Sequence, residues 1–349
     1  MKILYALAKI HMKTYKNLYK ALLDKERIKE IIYLSAKGKK KRKEVQKVLD
    51  DIDKYVDIVY NMLANKTYYM SPTYTKIITE RKKQRVLTIS PFFPNRILDY
   101  LVVESLKPII RKSMYEYCVG NVDKRGIVYG KNIVAKNYKK YKYYIKLDIH
   151  KFYPSTKSEE LMKIIKYKIS DPDFISLCEC VILACDIMPI GSYYSQWLSN
   201  WLLQDLDHLI KEKYKIPFYI RYVDDMLLMG NNRRTLLKTM YVINDWLKLK
   251  GLELKRIESA YQVESKPIDF LGFRFKENTI LLRTQNFKTL NKKVKKVRKA
   301  NHICLSQARS LISIVGWLKQ IDIGYLYYKN HIKDIVTFGN LKRIVSTQS

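Results

Sequence analysis

Two runs of strand-forming residues separated by nothing but acid place the tightest constraint on this chain. In residues 218–229, Phe218, Ile220 and Tyr222 alternate with Tyr219, Arg221 and Val223, and Met226, Leu227, Leu228 and Met229 follow a pair of aspartates, Asp224 and Asp225. Alternation at a period of two reads as a strand, and two such runs joined by two residues read as a β-hairpin with the Asp-Asp pair as its turn. Adjacent carboxylates repel each other and are costly to desolvate, so a positive partner is expected beside them. Lifted out at one end of a sheet, their hard oxygens suit Mg²⁺, which keeps coordination positions open for substrate phosphates. A solvated turn accounts for the pair equally well, since aspartate is an ordinary turn residue.

A third acid separates these readings. Asp148 ends the apolar strand Tyr143-Tyr144-Ile145-Lys146-Leu147, and antiparallel packing of that strand on the hairpin would gather three carboxylates. Three acids around two Mg²⁺ ions, about 3.5–4 Å apart, is the arrangement that phosphoryl transfer needs, one ion sharpening a 3′-hydroxyl and the other holding a triphosphate.

Charge identifies the partner class. Among 349 residues, 67 lysines and arginines face 33 aspartates and glutamates, a net charge of +34, so polyanions are attracted and nucleic acid leads over an anionic membrane. An apolar fraction of 47% supports a real core. No stretch of about 18 apolar residues exists to span a membrane. The opening MKILYALAKIHMK is too short and basic for a good signal peptide, so a cytoplasmic location is expected. The five cysteines, Cys118, Cys178, Cys180, Cys185 and Cys304, lack zinc-site spacing and read as small buried or neutral residues in a reducing compartment. Tyrosines interleaved with lysines in NYKKYKYYIK (137–146) suit either base stacking with phosphate contacts or a strand edge with solvated lysines.

Along the chain, residues 1–65 read as helices with basic faces broken by the loop KGKKKRK (37–43), and 66–100 as short alternating stretches ending at the double-proline turn PFFPN. Helical spacing covers 97–117 and SEELMKIIKYKI. After Asp148 the chain is expected to turn at Pro154. MPIGSYYSQ leads into a helix with Tyr194, Trp197, Leu198, Trp201, Leu202, Leu206 and Leu209 on one face. A helix ending at Gly251, two strands through IDFLGFRFKENTILL and a basic helical segment from about 287 complete the pattern.

In this order the motifs resemble those of the reverse transcriptases of bacteria and their mobile elements. KLDIHKFYPS resembles the first palm motif, PIGSYYSQWLSN the second, YVDD the third, GLELKRIESAYQV the fourth and IDFLGFRF a primer-gripping fifth. The resemblance implies an α+β right-hand polymerase with an antiparallel palm sheet. Its segments are a helical basic N-terminal extension (1–65), fingers with part of the palm (66–142), palm (143–282) and helical thumb (283–349). Template RNA and growing cDNA would lie in a basic cleft, held mainly by charge. No segment after the thumb resembles an RNase H, a maturase DNA-binding region or an endonuclease.

Residue roles follow from the same resemblance. Asp148, Asp224 and Asp225 are the expected catalytic residues and, with Ile149, the metal site for two Mg²⁺ ions, with Mn²⁺ as a substitute. Tyr153 stands where the family keeps an aromatic gate against the 2′-hydroxyl. Arg85, assisted by Lys82 or Lys83, stands where the fingers supply an arginine to the triphosphate of the incoming dNTP. Ile190, Gly191, Gln196 and Lys255 complete the expected dNTP site, Lys255 in the place of a lysine that protonates pyrophosphate. Lys124, Arg125, Tyr222, Leu271 and Gly272 are the expected template and primer contacts. Many members carry glutamine before the second-motif glycine and proline after its serine, whereas this chain has Ile190-Gly191 and Ser195-Gln196. That pattern resembles the enzymes of diversity-generating retroelements, which miscopy adenines and often work with a small basic accessory oligomer. A phage-defence reverse transcriptase of abortive-infection type and a catalytically idle RNA-binding scaffold are the competing readings.

Overall fold

A computed structural model describes residues 14–80, 83–300 and 302–347. Helices α1 (Lys25–Ala36), α2 (Lys43–Asp50) and α3 (Ile52–Ala64) precede a hairpin of β1 (Tyr74–Glu80) and β2 (Lys83–Ile89). Then come α4 (Ile97–Lys112), α5 (Ile127–Asn137), β3 (Tyr143–Asp148), the one-turn α6 (Phe152–Ser155), α7 (Ser158–Lys168), α8 (Pro172–Ile182), α9 (Tyr193–Leu202) and α10 (Gln204–His208). Strands β4 (Phe218–Tyr222) and β5 (Asp225–Gly230) lead to α11 (Arg233–Leu249), β6 (Tyr261–Gln262), β7 (Ile268–Phe270), β8 (Phe273–Lys276) and β9 (Thr279–Leu282). The chain finishes with α12 (Thr284–Arg298), α13 (Leu305–Leu318), α14 (Gly324–His331) and α15 (Phe338–Thr347). Among the described residues no helix is long and apolar enough to cross a membrane.

These elements form two compact units. The first comprises the described part of Met1–Glu116 with Ile149–Leu209 and Ile243–Lys255. Its centre is α4, buried nearly all round through Ile97, Leu98, Leu101, Val102, Leu106, Ile109 and Ile110, as expected of a helix covered on every side. α1 starts at Asp24, whose carboxylate accepts the amides of Glu26 and Arg27, and buries Ile28, Ile31 and Ile32. α8 starts at Asp171, whose side chain accepts the amides of Phe174 and Tyr19, with Pro172 at the first helical position. The expected stripe from Tyr194 to Leu209 is buried throughout, but α9 stops at Leu202 and a second short helix begins at Gln204.

The second unit comprises Tyr117–Asp148, Ile210–Val242 and the described part of Arg256–Ser349. It holds an antiparallel sheet in the order β4-β5-β3-β6 and a three-stranded sheet β7-β8-β9. One apolar cluster joins them: Tyr144, Phe218, Ile220, Leu227 and Met229 with Phe270, Phe273 and Phe275, closed by Leu290 and Val294 of α12 and Leu311 and Val315 of α13.

Several boundaries differ from the sequence reading. IDFLGFRFKENTILL makes three strands, because Glu277 takes a left-handed φ of 48° and turns the chain between β8 and β9. The helix expected over 97–117 ends at Lys112, and the turn expected at Pro154 is a helical turn, α6. Within NYKKYKYYIK, Tyr138 and Tyr144 are core residues, 3% and 4% exposed, and so are unavailable for base stacking. Cys118 and Cys178 are buried as expected, whereas Cys304 is exposed.

Candidate functional site

The site is built by strand register. β3 pairs with β5 so that Asp148 lies directly opposite Asp225, Leu147 opposite Met226 and Lys146 opposite Leu227, and β4 closes the hairpin with Tyr222 opposite Asp225. Residues opposite each other in an antiparallel pair project from the same face, and alternate residues share it. Asp148, Asp225 and Tyr222 therefore occupy the end of the face whose inner part, Tyr144, Ile220 and Leu227, lies in the core. Like charges directly opposite are destabilising. The expected positive partner is Lys146, two residues before Asp148 on the same face, with Nζ 3.5 Å from Asp225 Oδ1. Burial raises the Asp225 carboxyl above its usual range; Lys146 and Arg283 oppose this, and the charge of Asp148 adds to it.

The turn lies one residue earlier than expected. Tyr222 pairs with Asp225, so Val223 and Asp224 form the two-residue connection and Asp225 is the first residue of β5. Val223 has φ of 58°, a conformation costing a β-branched residue on the order of 1–3 kcal/mol. Its surroundings hold it there. The fully buried Arg221 donates from Nη1 to the Val223 carbonyl at 2.9 Å, and its backbone bonds to Tyr117 and Val119 at 3.0 and 2.9 Å. Gly120 lies against the turn so closely that a Cβ there would be 2.6 Å from the Val223 nitrogen. Lys146, Arg221 and Gly120 were not singled out from sequence. A charge inside an apolar strand marked the first two, and Gly120 had no distinguishing signal.

Of the residues expected to meet template or primer, Lys124 is exposed, and Arg125 spends one guanidinium nitrogen on the Cys118 carbonyl at 3.0 Å, bracing the segment that carries Gly120. Leu271 and Gly272 form the β7–β8 turn with φ of 53° and 86°, values matching a type I′ hairpin. Leu271 is 7% exposed and packs so closely on Gly130 that a Cβ there would meet its Cδ1 at 2.5 Å. A Cβ on Gly272 would meet the Asn286 amide at 2.9 Å.

The remaining expected residues belong to the other unit. Arg85 is exposed on β2, opposite Ile78; Lys82 and the side chain of Lys83 lie outside the described residues. The Ile190 carbonyl accepts the Thr88 amide at 3.0 Å, joining the second-motif loop to the strand that carries Arg85. Gly191 has φ of 119°, and Gln196 is exposed on α9. Tyr153 is half-buried on α6, its ring 5.7 Å from that of Phe152. Ile149 is 2% exposed and bridges Leu254, whose neighbour Lys255 is exposed. Only a backbone carbonyl at Ile149 has a donor atom for a metal.

The donor set fits a hard divalent cation. Two opposed carboxylates offer hard oxygen ligands of the kind such an ion takes. Among the described residues no group of three or more histidine, cysteine, aspartate or glutamate side chains is placed to hold a metal ion.

Compared with known proteins, residues 76–275 match the profile of the family described as reverse transcriptase (RNA-dependent DNA polymerase). An apo telomerase from Candida tropicalis, truncated from its C-terminal domain, superposes with a TM-score of 0.42 and 14% identity, covering 62% of this chain and 57% of that one. No curated protein matches in sequence.

The close approach at Gly120 yields a prediction. Gly120→Ala forces the Val223 turn to move and is expected to cost about 1–3 kcal/mol, the range for overpacking, measured by denaturant unfolding; unchanged stability would show that Gly120 does not brace the turn.

Proposed function

The chain belongs to the reverse transcriptase (RNA-dependent DNA polymerase) family, and on that premise we propose that it copies template RNA into cDNA using Asp148, Asp224 and Asp225. The observation that carries this reading is the direct register of Asp148 with Asp225, beside the Val223-Asp224 turn. Asp148, Asp224 and Asp225, with the Ile149 carbonyl, would hold two Mg²⁺ ions, or Mn²⁺ in their place. Such ions supply Lewis acidity to a 3′-hydroxyl and neutralise the charge of a triphosphate.

The chain's own groups bind and orient. Lys146 limits the repulsion between the acids until substrate arrives. Arg85 takes the triphosphate of a dNTP through a guanidinium matched to phosphate oxygens, and Lys255 delivers a proton to pyrophosphate. Tyr153 lies under the sugar, where a planar ring excludes a 2′-hydroxyl. Lys124 contacts nucleic-acid phosphate, while Arg125, Leu271 and Gly272 shape the surface that template and primer meet, with Tyr222 beside the primer end. The segments act as N-terminal extension (1–65), fingers (66–142), palm (143–282) and thumb (283–349). A net charge of +34 suits an RNA and cDNA partner.

The subtype reading rests on Ile190. An apolar side chain in place of glutamine offers no hydrogen bond near the nascent pair, so geometric control of the base loosens. We therefore assign the chain to error-prone copying at adenines in a diversity-generating retroelement of a bacterial cell, working with a small basic accessory oligomer. A template repeat beside a variable-protein gene supports this assignment; a stand-alone defence locus opposes it.

Three variants test these roles. Asp224→Asn is expected to lower primer extension on the order of 10³-fold, since metal-held charge stabilisation is worth several kcal/mol, with RNA binding retained; persistent extension contradicts the site. Tyr153→Ala is expected to admit ribonucleotides, and unaltered discrimination removes it as the gate. Ile190→Gln is expected to lower misincorporation opposite template adenine in deep-sequenced cDNA, and an unchanged error spectrum counts against the subtype.

A further inference from the structure

A buried carboxylate interrupts the apolar helix α4. Asp99 is 5% exposed and lies among Ile97, Leu98 and Leu101. Its two oxygens serve different backbone amides: Oδ2 accepts from Tyr193 and Oδ1 from Tyr194, each at 2.7 Å. These are the first two residues of α9, whose leading N–H groups have no partner inside the helix. A buried carboxylate receiving two such amides, at the end of a ten-residue helix where the dipole favours negative charge, is a strong tether. Burial raises this carboxyl to about 6, opposed by the two amides and by Arg96 and Lys39.

The tether has further supports on one side and a counterpart on the other. The Tyr193 ring stacks on Tyr100 of α4, centroids 4.0 Å apart and 18° from parallel, and its hydroxyl donates to Glu104 at 2.6 Å. Lys107, bonded to the same Glu104 oxygen, lies 5.0 Å over the Trp197 ring. On the opposite side of the loop, the Ile190 carbonyl is fixed by the Thr88 amide, and Gly191 runs so close to β2 that a Cβ would be 3.1 Å from the Thr88 carbonyl oxygen. The segment from Ile190 to Ser192 is thus stretched between two anchors, α4 through Asp99 and the end of β2 through Thr88.

We propose that Asp99 is a positioning residue for nucleotide selection, holding the loop of Ile190 and Gly191 in register with the strand that carries Arg85. This rests on the polymerase reading above and deepens it: Asp99 touches no substrate and acts through the backbone of Tyr193 and Tyr194. Ile190 removes a polar contact with the nascent pair, and Asp99 fixes where that apolar surface stands. Chemical selection and its positional control therefore come from different elements, the loop before α9 and helix α4.

Single-nucleotide extension on an RNA template with a DNA primer tests the proposal, using wild type, Asp99→Asn, Asp99→Ala and Thr88→Pro, each with matched and mismatched dNTPs. Asn keeps one acceptor oxygen and Ala none. Pro removes the amide that holds Ile190, on a residue whose N–H bonds Ile190 instead of the hairpin ladder. The expected result is a rise in KM for the matched dNTP of about tenfold in Asp99→Ala, less in Asp99→Asn, with kcat within about threefold and the matched-to-mismatched ratio falling in parallel. Thr88→Pro is expected to reproduce that pattern, and it decides the question if Asp99→Ala does not fold. Folded variants with wild-type KM and discrimination, or activity that falls only in proportion to the folded fraction, overturn the proposal. A wild type that extends no primer sinks the polymerase reading itself, a result distinct from variants that match an active wild type.

Discussion

Two carboxylates held opposite each other across a β-ladder repel, and the architecture of this unit serves to keep them there. The register that aligns Asp148 with Asp225 also aligns Tyr144, Leu227 and Ile220 with the apolar cluster under β7, β8, α12 and α13. A slip of one residue would turn the acids to the other face and expose that apolar set. Burial of the inner part of the sheet face thus fixes the position of its charged end. Lys146, from the strand that carries Asp148, offsets part of the repulsion without closing the site.

The turn applies the same logic to the backbone. Val223 is held in a left-handed conformation that it would not adopt alone, by a buried arginine bonded to its carbonyl and by a glycine that leaves no room for another path. Removing one partner from a buried charge costs more than the pair contributes, so Arg221 is bound to this geometry as firmly as the turn is bound to Arg221. In the other unit, Asp99 and Thr88 do comparable work for the Ile190 loop, again through bonds to backbone and not to substrate. In both places the side chains with the chemistry of interest are positioned by neighbours that take no part in it.

How far the sequence discloses this depends on whether a feature is periodic. The strands around the acids and the Tyr194-to-Leu209 stripe follow from periodicity, and the structure has them. The turn was misread by one residue because Val223-Asp224 and Asp224-Asp225 both make a two-residue connection, and only pairing with β3, remote in sequence, selects the first. Leu271, a primer contact by resemblance alone, is 7% exposed and fills the space left by Gly130 on α5, a packing contact no local pattern encodes. Asp99 carried a usable signal, a carboxylate flanked by apolar residues at the start of a helix. Its meaning depended on which amides would arrive, and those lie far along the chain.

The account stands or falls on Asp148 and Asp225 sharing a divalent ion. Anomalous diffraction at the manganese edge, from crystals of the protein grown with Mn²⁺, an RNA template, a DNA primer and a non-hydrolysable dNTP, tests it most directly. A manganese peak in contact with the carboxylates of both residues is predicted. Bound nucleotide with manganese on the triphosphate alone, and neither aspartate within ligand distance, would contradict it.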